Sequence, residues 1–414
     1  MSEVRRRWLA VAGTMAARIA AMAAGIGGSV ITARLLGAEG RGKYYAAVTL
    51  AGIVAQFANL GLSSSNTLLG ARDPAAVGRL MTNSLWLAAA CGLVVAVAVL
   101  SGGERLASAI GVDPGLLVLA VPLAPAMLFV SLAASLLVAE QRFAAVNGWQ
   151  IANAALALAV LASCAWAGLG VRAFLLGTAL VALTIAAGMG YTLGAGRARL
   201  VGFDRALFSQ GFGFALRAYV AVLVGYLLQR SGATALIAAG DPHALGVFSI
   251  AAQIFDVMII LPATVSLVLF PALVRQQASA WRATRAALRV VIPSMLAASA
   301  LAALSGRWLI PFVFGRPFAA SFAPMLGLLP AVLSISIVSV LSQFLVVRRF
   351  PRALVALWIV GAGVAVLAAF PAVRLWGALG AAWAQSAGSL VVLVGVVAMT
   401  VRKVRREARG QHDE

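Results

Sequence analysis

Stretches of about 20 apolar residues recur from one end of the chain to the other, and that feature closes off most folds. The runs are continuous and do not alternate with polar residues, which excludes a membrane β-barrel. In lipid a crossing segment must satisfy its own backbone hydrogen bonds, and a helix does so. Hydrophobic residues make up 63% of the 414 and charged residues only 11%, too little polar surface for a water-soluble body of this size. The expectation is an all-α integral membrane protein.

Reading from one breaker to the next gives about twelve spans, near 9–36, 43–69, 80–101, 115–139, 145–168, 173–195, 208–238, 246–274, 286–305, 321–347, 353–371 and 377–400. Asp73-Pro74, Asp113-Pro114 and Asp241-Pro242 mark boundaries, while Pro262 and Pro330 fall inside spans and predict kinks. The opening "MSEVRRRWLAVAGTMAARIAAMAAG" has the outline of a signal peptide. Its apolar stretch is too long for one, Arg18 interrupts it and further spans follow at once, so it reads as the first span.

The formal net charge is +20. In a soluble protein this would suggest nucleic acid; here the basic residues follow the loops. With the N-terminus inside, Lys and Arg on the inner side outnumber those outside roughly threefold. Both termini are therefore placed in the cytoplasm, and no nucleic-acid partner is expected. The tail "VRKVRREARG" reads as an anchor on anionic membrane lipids. No loop is long enough to fold as a separate domain, so the work of the protein is done within or across the bilayer. Cys91 and Cys164 lie in apolar runs and read as small buried hydrophobes, and His243 and His412 have no metal-ligand spacing. No metal or cofactor is expected.

Between the first two spans lies "ARLLGAEGRGKYYAAVTL", a charged, glycine-rich joint with Gly37, Gly40 and Gly42 as hinge candidates. It recurs. "GRGKYYAAV" at 40–48 aligns with "ALGVFSIAA" at 244–252 and brings Gly42 to Gly246; Arg142-Phe143 meets Arg349-Phe350, and Gly170 meets Gly377. Three echoes in order, at nearly constant offset, predict two six-helix halves, 1–200 and 201–401, before a basic tail at 402–414. Six is even, so both halves enter from the same side, as a parallel repeat.

"ITARLLGAEGRGKYYAAVTLAGIVAQFANLGL" resembles the opening signature of the Wzx-type oligosaccharide flippases, in the multidrug/oligosaccharidyl-lipid/polysaccharide (MOP) exporter superfamily. "LGVFSIAAQIFDVMIILPATVSLVLFPAL" at 245–273 is similar to that family's eighth span, with its terminal Phe270-Pro271. The resemblance covers the whole helical layout. It implies two V-shaped bundles of six helices in the bacterial cytoplasmic membrane, acting on polyprenyl-diphosphate-linked oligosaccharide. Polysaccharide polymerase and chain-length machinery are the implied protein partners, and a monomer is the expected state. Twelve spans suit this branch better than the lipid II flippases, which have fourteen.

Polar residues inside spans must face a cavity or a partner. Span one carries Thr14, Arg18, Ser29 and Thr32, and span two carries Tyr45, Thr49, Gln56, Asn59, Ser63 and Thr67; each set falls on one helical face. Matching stripes suggest a wet wall; the alternative is helix packing through small residues. Arg18 sits too deep for easy snorkelling, and it is either a diphosphate anchor or an interhelical hydrogen-bond donor. Span seven aligns Tyr219, Tyr226 and Arg230, and span eight aligns Ser249, Gln253 and Asp256. Arg230 and Asp256 lie at matching depths below the Pro242 turn, so they can pair. The pair either neutralises charge or acts as a switch in which an anionic headgroup competes for Arg230. Arg217 is assigned to snorkelling or headgroup contact, and the tyrosines to sugar stacking or core packing.

Four functions follow. A lipid-linked oligosaccharide flippase, by alternating access, accounts for deep arginines and few intramembrane acids. A drug or cation antiporter needs buried carboxylates, and only Asp256 qualifies. A glycan polymerase or ligase needs a catalytic loop and paired groups that the chain does not show, so no enzyme is expected. A non-transporting scaffold is the fourth.

Overall fold

The Asp-Pro pairs that separate apolar runs become helix starts. Asp73, Asp113 and Asp241 each turn a carboxylate oxygen onto a backbone N–H of the following turn, at 3.0, 2.7 and 2.8 Å, and each is followed by a proline in the first helical position. The structure, a computed structural model, describes the backbone of residues 3–194, 202–275, 279–347 and 352–410; the side chains of residues 3–19, 214, 216–218, 267, 271 and 406–410 lie outside the description.

The described residues form α1 (Glu3–Asn59), α2 (Leu62–Arg72), α3 (Val77–Ala109), α4 (Pro114–Ala120), α5 (Leu123–Ala139), α6 (Phe143–Trp166) and α7 (Val171–Gly194). These are followed by α8 (Arg205–Ala238), α9 (Pro242–Met258), α10 (Ile260–Arg275), α11 (Ala280–Phe314), α12 (Phe322–Val346) and α13 (Arg352–Gly410). Ten stretches among the described residues are long and apolar enough to cross a membrane. Two of them, Ala20–Asn59 and Arg352–Arg405, contain a non-helical residue, Gly37 and Gly377 respectively, and each folds as two crossings. Twelve crossings result.

Left-handed glycines punctuate both halves of the chain in the same order. Gly37 and Gly240 follow the first span of each half, and Gly111 and Gly315 end the third. Gly168 and Gly377 precede the last. The second span of each half is also broken, at Leu60–Gly61 between α1 and α2 and at Ile259 between α9 and α10. Pro262 explains the second break: it has no N–H to offer the Met258 carbonyl, so the helix ends upstream of it. Pro330, by contrast, sits inside a continuous α12.

The chain divides into two compact units, Met1–Leu223 and Val224–Glu414, with the boundary inside α8. In the first unit α5 is the central post. Leu128, Leu132, Leu136 and Leu137 are fully buried, and α1, α2, α3 and α7 pack around them. In the second unit α12 holds the same place, packed by α9, α10, α11 and α13. Its contact with α13 runs through small residues: a Cβ on Gly327 would stand 3.0 Å from that of Ala382, and the Ser386 hydroxyl donates to the Gly327 carbonyl at 2.6 Å. Cys91 and Cys164 are buried free thiols.

Candidate functional site

In the second unit, α8 and α9 form a hairpin through Gly240 and the Asp241 cap. Counting down its two legs brings Arg230 to Asp256. The guanidinium donates from Nη2 to Asp256 Oδ2 at 3.2 Å. The two side chains are 25% and 35% exposed, so this ion pair is not sealed in the core. Arg230 also lies over the Tyr226 ring, 5.8 Å from its centroid. Gln253 is half-buried one turn earlier on α9, whereas Ser249 is buried and bonds the Gly246 carbonyl. Gly246 is an ordinary helical residue; the turn itself is made by Gly240.

The first unit carries a neutral counterpart. Leu60 (φ 50) and Gly61 (φ 76) are consecutive left-handed residues that stop α1 and restart the helix as α2. For a leucine this conformation costs about 1–2 kcal/mol. Gly61 is required: a Cβ there would lie 2.7 Å from the Cβ of Tyr219 and 2.8 Å from the carbonyl oxygen of Ala215, both on α8. Asn59 donates to the Ser63 hydroxyl at 2.7 Å and more weakly to that of Ser131 at 3.4 Å, and the two hydroxyls are 3.2 Å apart. Thr67 continues the ladder to the carbonyls of Ser63 and Ser135, at 3.0 and 3.2 Å. The Tyr219 hydroxyl is buried and lies against Gln56 and the Leu60 backbone, yet it makes no well-formed hydrogen bond among the described residues.

The upper part of the two polar stripes does different work. Arg41, 5% exposed, folds back over the Gly37 break and donates to the Ser29 carbonyl, the Thr32 hydroxyl and the Ser29 hydroxyl at 2.6, 2.6 and 2.7 Å. Ser29 and Thr32 are therefore buried partners of a hinge clamp and do not line a wet wall. The hinge backbone departs from helix at Gly37, while Gly40 and Gly42 remain helical. The side chains of Arg18 and Arg217 lie outside the described residues.

Sequence reasoning missed the contribution of α5. Ser131 and Ser135 are one turn apart in an otherwise apolar span, a spacing that places both on one face toward α2. It also missed the tie at the start of α8. Asn83 and Asp204 exchange two hydrogen bonds at 2.9 and 2.8 Å, and Arg79 meets the Asp204 carboxylate at 3.1 Å. The N–H of Leu207 holds that carboxyl below its usual range, with Arg79 adding to the effect.

A model of the family described as polysaccharide biosynthesis protein matches residues 31–323. The chain belongs to this family. The matched region of this polysaccharide biosynthesis protein takes in both helix breaks, the neutral cluster and the Arg230–Asp256 pair. Among curated proteins none matches by sequence. Among solved structures, a lipid II flippase MurJ in an inward closed conformation superposes with TM-score 0.76 at 13% identity, over 94% of this chain and 86% of that one. An inward-facing multidrug resistance MATE family transporter of the MOP superfamily gives TM-score 0.70 at 16% identity, over 93% and 95%. A MOP superfamily transporter from Pyrococcus furiosus, whose binding pocket is described as of reverse polarity, gives 0.63 at 16% identity, over 95% and 93%. These likenesses show the fold alone: the all-α, multi-helix arrangement that these transporters share.

Proposed function

We propose that this protein flips a polyprenyl-diphosphate-linked oligosaccharide across the bacterial cytoplasmic membrane by alternating access. The observation that carries the reading is the Arg230–Asp256 pair, partly exposed inside a span of a polysaccharide biosynthesis protein. A guanidinium at membrane depth grips phosphate oxygens bidentately, and Asp256 holds it in place until a more highly charged anion arrives. The lipid tail stays in the bilayer while the headgroup crosses, so binding and reorientation suffice and no covalent step is needed. The named activity of one structural neighbour, a lipid II flippase, supports this class of substrate. Arg18 and Arg217 remain candidates for further headgroup contacts, with both termini on the cytoplasmic side. The protein acts as a monomer beside the polymerase and chain-length machinery that consume its product.

A cation antiporter is less well supported, because its one deep acid in the second unit, Asp256, is engaged by Arg230. Reconstitution decides between them. Proteoliposomes are loaded with short polyprenyl-diphosphate glycans, and headgroup exposure is followed for the wild type and Arg230→Ala. Translocation by the wild type with at least tenfold loss in the variant is expected. Inert wild type that instead exports organic cations would replace this reading with the antiporter.

A further inference from the structure

The two broken second spans differ in one respect: the break in the second unit lies three residues from Asp256, paired with Arg230, whereas among the described side chains the break in the first unit is flanked by uncharged groups. Around Leu60–Gly61 stand the amides of Gln56 and Asn59 and the hydroxyls of Ser63, Ser131 and Tyr219. Amides and hydroxyls both donate and accept. A diphosphate needs cationic donors, and a metal cation needs oxygens with negative charge among them. A pyranose hydroxyl both donates and accepts, and it matches this set. Ser131 is exposed and Gln56 and Ser63 are half-buried, so the cluster is reachable. The Tyr219 hydroxyl is the independent sign that something is missing. The residue is only 6% exposed, and its oxygen is buried without a well-formed hydrogen bond among the described residues. Its nearest polar neighbours are Gln56 and the Leu60 backbone. Buried polar groups are rarely left so, and one that faces a cluster of exchangeable donors is suited to a ligand hydroxyl.

We propose that the helix break at Leu60–Gly61, with Gln56, Asn59, Ser63, Ser131 and Tyr219, is a carbohydrate subsite that takes the sugar hydroxyls of the headgroup. This rests on the flippase reading: the neutral groups of the first unit read the glycan, apart from whichever groups hold the diphosphate. Polar side chains at such a site reject ligands that lack the matching hydroxyls, because the site's own groups are then left unpaired. The subsite therefore sets selectivity among glycans rather than affinity for the lipid carrier.

The test uses the full-length protein in proteoliposomes with two probes, decaprenyl diphosphate and decaprenyl diphosphate carrying a short oligosaccharide. Asn59→Ala and Ser131→Ala are compared with wild type and with Arg230→Ala. Ser131 is exposed, so its variant keeps the fold even if Asn59→Ala does not. The expected result is a rise of about fivefold to tenfold in KM for the glycosylated probe in Ser131→Ala, with the bare diphosphate unaffected. Arg230→Ala loses both. Equal loss of both probes in Ser131→Ala, or no loss of either, overturns the subsite while the flippase reading stands. A folded wild type that moves neither probe overturns the flippase reading as well, and differs from the preceding outcome in that the wild type itself is inactive.

Discussion

Arg41 donates from Nη1 to the carbonyl oxygen of Ser29 at 2.6 Å, across a helix break at Gly37 that lies between the two residues. The Ser29 carbonyl lies well inside the first leg and also accepts from the Thr32 hydroxyl, so the guanidinium adds a further donor to a carbonyl and two hydroxyls and ties the two legs together across the break. Arg41→Ala should remove the tie between the two legs, although the Thr32 hydroxyl keeps its bonds to the Gly28 and Ser29 carbonyls. A loss of about 1–2 kcal/mol is expected, read as a lower unfolding midpoint in detergent. Arg41→Lys should recover only part, because a point charge cannot reach three acceptors that a planar fork spans. If Arg41→Ala unfolds with the wild type, the clamp has no structural weight.

The fate of the polar residues shows what was legible in the sequence. The spans were, since twenty-residue apolar runs have few other solutions in lipid. The Arg230–Asp256 pairing was legible too, because both legs of a tight hairpin can be counted from its turn. What could not be read was whether a polar residue faced a neighbour or a space. Ser29, Thr32, Gln56 and Asn59 share a residue class and lie on adjoining stripes, yet the first two are consumed by Arg41 and the last two stand at a break. The difference lies in the approach of α8 to Gly61, a contact across more than 150 positions that leaves no local trace. Leu60 adds to the difficulty: nothing about a leucine announces a left-handed backbone.

Charge at the pair can be separated from stability. Removing Arg230 or Asp256 alone leaves one charge at membrane depth, and each single alanine variant should be destabilised by about 1–2 kcal/mol, discounted for the partial exposure of both groups. The double variant Arg230→Ala/Asp256→Ala removes both charges and should regain most of that stability. Translocation of a diphosphate lipid should nevertheless stay lost in the double variant. Recovery of transport along with stability would show that the pair only balances charge.

The tie between Asp204 and α8 predicts an acid-sensitive junction. Backbone donation from Leu207, then Arg79, holds the folded carboxyl below its ordinary value. A depressed carboxyl contributes stability that is complete above the unfolded value near pH 3.9. That contribution fades as pH falls through the lower folded value. The exposed Asp113 behaves alike, held down chiefly by its hydrogen bond from Arg172 and then by the Gly115 N–H. Unfolding midpoints in detergent between about pH 5 and 3 should therefore fall less steeply for Asp204→Asn than for the wild type. Identical slopes would remove Asp204 from the account.

Two left-handed glycines allow conformation to be weighed against space. At Gly37 (φ 63, ψ −175) an added Cβ meets nothing within 4 Å, so Gly37→Ala should carry only the backbone penalty of this near glycine-only region, about 1–3 kcal/mol. Gly37→Asn should cost about as much, since asparagine tolerates the left-handed helical region and not this one. At Gly61 (φ 76, ψ 6) the left-handed helical backbone alone costs an alanine about 1–2 kcal/mol, but the Cβ would also press within 2.8 Å of the Ala215 carbonyl oxygen and 2.7 Å of the Tyr219 Cβ. Backbone cannot rotate away as a side chain can, so α8 must shift, and Gly61→Ala should cost about 3 kcal/mol or more in total. Because the shift also moves Tyr219, Gly61→Ala should impair transport of glycosylated lipid even where the protein survives purification, whereas Gly37→Ala should not change the preference between glycosylated and bare lipid. A Gly61→Ala loss no larger than the left-handed backbone penalty alone, about 1–2 kcal/mol, would mean that α8 does not close on the break as described.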